Sequence, residues 1–304
     1  METGLKDKVL ELKERKKAVI LAHYYQSDEI QAIADIRGDS LALAIEATKL
    51  DAEIIVFCGV KFMAETAKVL CPDRKVLIPE VDSTCPLADT ATKEEVLKKK
   101  KELGNPAVVS YVNTNVDVKT VSDICCTSAN AVNVVKSIKE KRILFVPDRN
   151  LGSYVKEQVP EKEVILWEGH CPVHEEYNVK LLEALKEKHP NAKVAVHPES
   201  PTDVRRKANF IGSTSGIIEY VNKTNAKEFI IGTEEGILFE LKLNNPDKKF
   251  YIIGGNSICT NMKKITLESL YRALLEERFE INLDKETIEL AKKPIERMIS
   301  IKRG

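Results

Sequence analysis

Three of the seven cysteines stand in contexts, and at spacings, that point to metal chemistry. Cys85 closes the run Val81-Asp-Ser-Thr-Cys85-Pro86, and Cys171 closes Val164-Ile-Leu-Trp-Glu-Gly-His170-Cys171. Cys259 closes Phe250-Tyr-Ile-Ile-Gly-Gly-Asn256-Ser-Ile-Cys259. The intervals are 86 and 88 residues, and an apolar run of the kind that forms a buried strand precedes each cysteine. One thiolate from each of three converging repeats suggests a metal centre. Zinc in a structural site takes four ligands, and His170 or His174 would supply the fourth. A cubane iron–sulfur cluster on three cysteines would instead leave one iron open. Three core cysteines at equivalent positions form a further reading, and spacing alone leaves all of these open.

A second set of polar residues follows the same interval. Ala18-Val-Ile-Leu-Ala leads to His23 and Tyr25, Ala107-Val-Val-Ser to Tyr111 and Asn113, and Lys193-Val-Ala-Val to His197 and Glu199. Each pair ends the first strand of a unit. Further along, Ser40, Ser128 and the pair Ser213-Thr214 each precede an apolar stretch of helical period, an N-cap signature. In parallel α/β sheets ligands bind beyond the carboxyl ends of the strands. Helix N-termini there favour a substrate with several negative groups.

These residues need a scaffold that repeats three times. Second strands are expected at Glu53 to Gly59, Arg142 to Pro147 and Glu228 to Gly232, and a further helix then leads to a last strand and the cysteine. The strands are continuously rather than alternately apolar, which means parallel sheets covered on both faces. The expected fold is α/β, with three homologous α/β/α units in a pseudo-threefold arrangement around a central active site. The units fall at 17–104, 105–191 and 192–262. Residues 1–16 form a leading helix of the first, and 263–304 two closing helices counted with the third. Domain boundaries are thus 1–104, 105–191 and 192–304. Pro294 is placed to kink the last helix.

Composition narrows the class. The 304 residues are 43% hydrophobic and 31% charged, with 47 basic and 47 acidic side chains. No basic tract is present to track a phosphate backbone, so nucleic acid is excluded as the main partner. No run reaches about 18 apolar residues, and Met1 to Lys17 lacks the apolar centre of a signal peptide, so the expectation is a cytoplasmic protein off the membrane. Disulfides are not expected there. Cys58 reads as core, Cys71 as a turn residue before Pro72, and Cys125-Cys126 as buried. His189 and Lys98 to Lys101 read as surface.

The chain resembles the quinolinate synthase family of NAD biosynthesis over essentially its whole length. The marks include Ala22-His23-Tyr-Tyr25-Gln26, Gly38-Asp-Ser40-Leu, Phe62-Met-Ala-Glu65, Thr84-Cys85-Pro86 and Tyr111-Val-Asn113. Others are Thr127-Ser-Ala-Asn130-Ala, Pro147-Asp-Arg-Asn150-Leu, Gly169-His-Cys171, His197-Pro-Glu199, Gly212-Ser-Thr214 and Cys259-Thr-Asn-Met-Lys. Tyr24 stands where family members often carry Asn. The resemblance implies one 4Fe–4S cluster per chain on Cys85, Cys171 and Cys259. It also implies condensation of iminoaspartate (iminosuccinate) with dihydroxyacetone phosphate to quinolinate, losing phosphate and two waters. The open iron would act as a Lewis acid. Tyr25 and Glu199 would move protons, with Tyr111 and His23 beside them. His23, Ser40, Tyr111, Asn113, Ser128, His197, Glu199, Ser213 and Thr214 would contact substrate. A transient partner would be the enzyme that makes iminoaspartate.

Overall fold

The computed structural model describes residues 4–255 and 257–302. Asn256 of the third cysteine run, residues 1–3 of the leading segment and residues 303–304 of the closing one lie outside them. Three parallel four-stranded sheets form the scaffold. The first holds β1 (Ala18–His23), β2 (Ile36–Gly38), β3 (Ile54–Cys58) and β4 (Lys75–Leu77) in the order β2-β1-β3-β4. The second holds β5 (Ala107–Tyr111), β6 (Ile124–Cys126), β7 (Arg142–Val146) and β8 (Glu163–Leu166) as β6-β5-β7-β8. The third holds β9 (Lys193–Val196), β10 (Phe210–Ile211), β11 (Glu228–Gly232) and β12 (Lys249–Ile252) as β10-β9-β11-β12. Even the register repeats: Ala22 pairs with Cys58, Ser110 with Val146, and Val196 with Gly232. Each unit thus has four strands where three were expected. The extra strands, β2, β6 and β10, are two or three residues long, too short to carry a periodicity.

The central strands are buried on both faces, as continuous apolar runs require. One large apolar core lies between the first and second units, joining Phe57 and Phe62 to Phe145 and Val164. The helix Lys285–Ser300 seals that core with Ile295 and Met298, and runs as one helix through Pro294. The helix Leu267–Glu276 covers the far face of the first sheet beside Leu5–Arg15. The closing helices therefore pack on the first two units. The third unit keeps two cores of its own, one on each face of its sheet. Helix Val179–Lys188 packs there through Leu182, so each sheet is covered by the helix that precedes it in the chain. No helix among the described residues is long and apolar enough to cross a membrane.

Polar contacts between units follow a cycle. Gln31, Lys119 and Arg205 occupy equivalent positions and are all fully buried. Gln31 Nε2 donates to Tyr24 O and Gln26 O in its own turn (3.0 and 2.9 Å) and to Gly236 O of the third unit (2.9 Å). Arg205 Nη1 donates to Pro198 O and Ser200 O in its own turn (3.3 and 2.8 Å) and to Asn150 O of the second unit (3.0 Å). Lys119 Nζ donates to Thr114 O in its own turn and lies 5.4 Å from the centre of the Phe62 ring of the first unit. Buried polar groups persist where such partners satisfy them. These three hold the turns that follow β1, β5 and β9.

Candidate functional site: a cavity lined by thiols and imidazoles

Those turns carry His23 and Tyr25, Tyr111 and Asn113, and His197 and Glu199, and all six side chains line one cavity with Cys85, Cys171 and Cys259. Ser40, Ser128 and Thr214 line it too, whereas Ser213 lies in an adjoining groove that shares Ser128. The helix caps explain this split. Asp39 and Ser213 are the N-caps, accepting from Ala42 N and Gly216 N, so Ser40 and Thr214 sit one position inside the helix. In the second unit the Asn130 carboxamide accepts from Thr127 N (2.8 Å), and Ser128 is likewise left uncommitted to capping. The capping expected of Ser40 and Thr214 thus falls to the residue before each, the helix after Ser128 has no side-chain cap bond from its N-cap Asn130, and all three hydroxyls are left on the cavity lining. The lining, among the described residues, contains no Lys or Arg. An anion there would meet hydroxyls, ring N–H groups and helix N-termini rather than cationic side chains.

A hydrogen-bonded chain crosses the site from unit to unit. Thr214 Oγ1 donates to the Tyr25 hydroxyl (2.9 Å), which pairs with Thr233 Oγ1 (2.5 Å). Thr233 Oγ1 also meets His174 Nε2 (3.0 Å), and His174 Nδ1 lies 2.8 Å from Glu199 Oε2. His197 Nδ1 is 3.4 Å from the same carboxylate oxygen, its Nε2 is 3.0 Å from Ser128 Oγ, and its ring stacks on His174. Burial opposes ionisation of Glu199, yet the two imidazoles hold its carboxyl well below the usual range. Burial, reinforced by the Glu199 charge, keeps the Tyr25 and Tyr111 hydroxyls protonated far above their usual range. Burial lowers His23 to about 4, and its Nδ1 accepts from Tyr25 N (3.1 Å), which places the ring proton on Nε2. Among the described residues, Asn113 Oδ1 is buried with no hydrogen-bond partner, and the Tyr111 hydroxyl is directed at the Glu199 carboxylate.

Each cysteine begins a tight turn whose backbone N–H groups point at its sulfur. Ala88 and Leu87 donate to Cys85, His174 to Cys171, and Met262 and Asn261 to Cys259. Two buried carboxylates hold the backbones of the second and third loops. Asp148 accepts from Cys171 N (3.1 Å) and Leu151 N (2.6 Å), and Glu234 accepts from Cys259 N (3.1 Å) and Gly236 N (2.7 Å). Lys263 pairs with Glu234 (3.0 Å) and donates to Tyr25 O (2.6 Å), tying the third loop to the first unit. Burial pushes the Cys85 thiol up to about 12 and raises those of Cys171 and Cys259. Such thiols ionise against a bound cation, and the N–H cradles then stabilise the thiolates. The donor set fits a sulfur-ligated metal group. Two glycines are required by close approach: a Cβ on Gly169 would strike Thr90 Oγ1 and Pro147 O, and one on Gly236 would lie 2.7 Å from Tyr24 O.

Sequence reasoning misses Thr233, Asp148 and Glu234 as site residues, and it offers His174 only as a zinc ligand. Asp148 and Glu234 stand two residues beyond β7 and β11, where Val60 follows β3, so the repeat interval itself marks them. Cys58, Cys125 and Cys126 are buried, Cys71 ends a helix, and Lys98 and Lys99 are exposed. His189 is half-buried, its ring stacked on Tyr251.

Fold and site together define a three-unit parallel α/β protein with a thiol-bearing cavity lined by imidazoles and hydroxyls. The profile of the family described as Quinolinate synthetase A protein matches residues 7–300. Quinolinate synthase of Caldicellulosiruptor bescii is 50% identical over 297 residues, covering 98% of each chain. That of Sulfurihydrogenibium sp. is 53% identical over 300 residues (97% of each), and that of Alkaliphilus metalliredigens 50% over 301 (99% of each). The chain belongs to the quinolinate synthase family.

Proposed function

We propose that the chain is itself a quinolinate synthase, condensing iminoaspartate (iminosuccinate) with dihydroxyacetone phosphate to quinolinate, with loss of phosphate and two waters. The observation that carries this reading is the meeting of Cys85, Cys171 and Cys259 with the histidine, tyrosine and glutamate set in one cavity. Cys85, Cys171 and Cys259 would hold one 4Fe–4S cluster, leaving one iron without a protein ligand. When bound, that cluster supplies a Lewis-acid iron with an open position for a substrate oxygen. The cycle of Gln31, Lys119 and Arg205 contacts supports a pseudo-threefold arrangement of three units divided near residues 104 and 191.

The protein's own groups handle the protons and the charge. Ser40, Ser128 and Thr214, with Tyr111, Asn113, His23 and His197, hold carboxylates and phosphate, and Ser213 supports Thr214 from the cap. Donors fixed around the phosphate stabilise charge as it leaves. Tyr25 exchanges a proton with the reacting carbons through Thr233 and His174, and ionised Glu199 compensates the imidazolium that forms. Neutral His23 donates from Nε2. The reaction would run in the cytoplasm, with iminoaspartate received from the enzyme that makes it. An anaerobic assay of iron–sulfide-replete protein with both substrates tests the reading. Quinolinate formation is expected. Its absence overturns the activity, and an equal rate from metal-free protein overturns the cluster.

A further inference from the structure

The three thiols are not the set of donors gathered most tightly. Among the described residues, the group of metal-ligating atoms close enough for a single ion is Cys171, His174 and Glu199, all within 4.8 Å of one another. A tetrahedral zinc site, with bonds near 2.0–2.3 Å, separates such atoms by roughly 3.5 Å. The widest pair therefore has to close by about 1 Å. The outer contacts are already those of a ligated imidazole: Thr233 Oγ1 holds His174 Nε2 at 3.0 Å, which leaves Nδ1 facing Glu199. His174 Nδ1 and Glu199 Oε2 already face each other at 2.8 Å, and both residues are almost wholly buried. One divalent ion would also neutralise the buried Glu199 carboxylate and let the Cys171 thiol ionise beside it.

We propose that protein lacking a cluster binds one divalent transition-metal ion of the zinc or cobalt class through Cys171 Sγ, His174 Nδ1 and a Glu199 oxygen. A substrate or water oxygen takes the fourth position. This site shares Cys171 with the proposed cluster and differs from it in every other ligand. The ion takes the place of the proton on His174 Nδ1 and so breaks the chain from Tyr25 to Glu199. It also withholds Cys171. On the cluster reading above, the mononuclear form is therefore a competing, inactive state.

Cobalt(II) titration of anaerobic, cluster-free protein tests this through the thiolate charge-transfer and ligand-field bands. Wild type should bind one ion with one thiolate. The double variant Cys85→Ser, Cys259→Ser should keep both bands, whereas Cys171→Ser should lose the charge-transfer band. His174→Ala and Glu199→Gln should each weaken binding by about 10-fold or more. Far-UV circular dichroism of every variant separates loss of a ligand from loss of the fold, and His174→Cys supplies a second thiolate should His174→Ala misfold. Loss of the bands in the double variant, or unchanged affinity in His174→Ala, overturns the site. Failure of wild type to assemble a cluster from iron and sulfide would sink the cluster reading and leave the cobalt result standing.

Discussion

Thr233 joins Tyr25 to His174 in the proposed acid–base chain, and Thr233→Val removes its hydroxyl at nearly constant volume. The hydroxyl serves the Tyr25 oxygen at 2.5 Å and His174 Nε2 at 3.0 Å. Tyr25 keeps its bond from Thr214 (2.9 Å), but His174, 1% exposed, loses the only hydrogen bond to its Nε2 among the described contacts. Two lost hydrogen bonds at about 1 kcal/mol each, with about 1–2 kcal/mol for the orphaned ring nitrogen, give a loss of about 3–4 kcal/mol in folding stability. Turnover should fall by about 100-fold or more, the range of a lost proton-transfer path. Thr233→Ser restores the oxygen and should recover most of the rate while giving up only a methyl group. The measurements are urea unfolding of cluster-free protein and anaerobic steady-state kinetics of the loaded enzyme. A valine variant that is as stable as wild type and turns over within threefold of it refutes the proposed path.

Three further outcomes are expected. Cys85→Ala, Cys171→Ala and Cys259→Ala should each abolish iron and sulfide retention, while Cys58→Ala, Cys71→Ala and Cys125→Ser should keep both; elemental analysis of purified variants decides. His23 sits near 4 in the folded protein against 6.5 unfolded, so the unfolded chain binds the extra proton and stability declines as pH drops through that window. At about 1.4 kcal/mol per unit, full passage costs about 3 kcal/mol, and His23→Asn should flatten this part of the urea midpoint's pH dependence; an unchanged slope would place the titration elsewhere. Gly236→Ala should leave the chain folded but cut turnover by about 10-fold or more, because its Cβ would lie 2.8 Å from the Tyr25 carbonyl carbon and displace the Tyr25 main chain; wild-type kinetics would show that the turn yields freely.

Much of the scaffold was legible because a three-unit chain writes its structure three times. Equivalent strand-end residues recur at intervals of 88 and 86, and the sheets repeat the same pairing register. The cysteines recur at 86 and then 88, the reverse order, because seven, four and six residues separate β4, β8 and β12 from Cys85, Cys171 and Cys259. Local pattern failed where tertiary contact decides. The strands β2, β6 and β10 exist through pairing with their neighbours rather than through any periodicity of their own. Asp39 outcompeted Ser40 as a cap because a carboxylate one residue earlier reaches Ala42 N. Thr233 and His174 belong to different units, and no interval in the sequence joins them.

The division of the apolar cores has a mechanical consequence. Two of the three cysteine loops belong to units that share one core, whereas Cys259 follows the last strand of a unit whose sheet has cores of its own, and its loop reaches back to the shared core through Cys259 and Met262. The third unit is also an insertion, since the chain returns from it to finish on the first two. It can therefore loosen as a foldon while the paired units stay closed. On the proposed reading, a metal group held by all three thiols would act as a tether across that seam, and its binding energy would add to the stability of the docked third unit. Hydrogen exchange in β9 and β11 should quicken when the metal is removed and stay slow in β3 and β5.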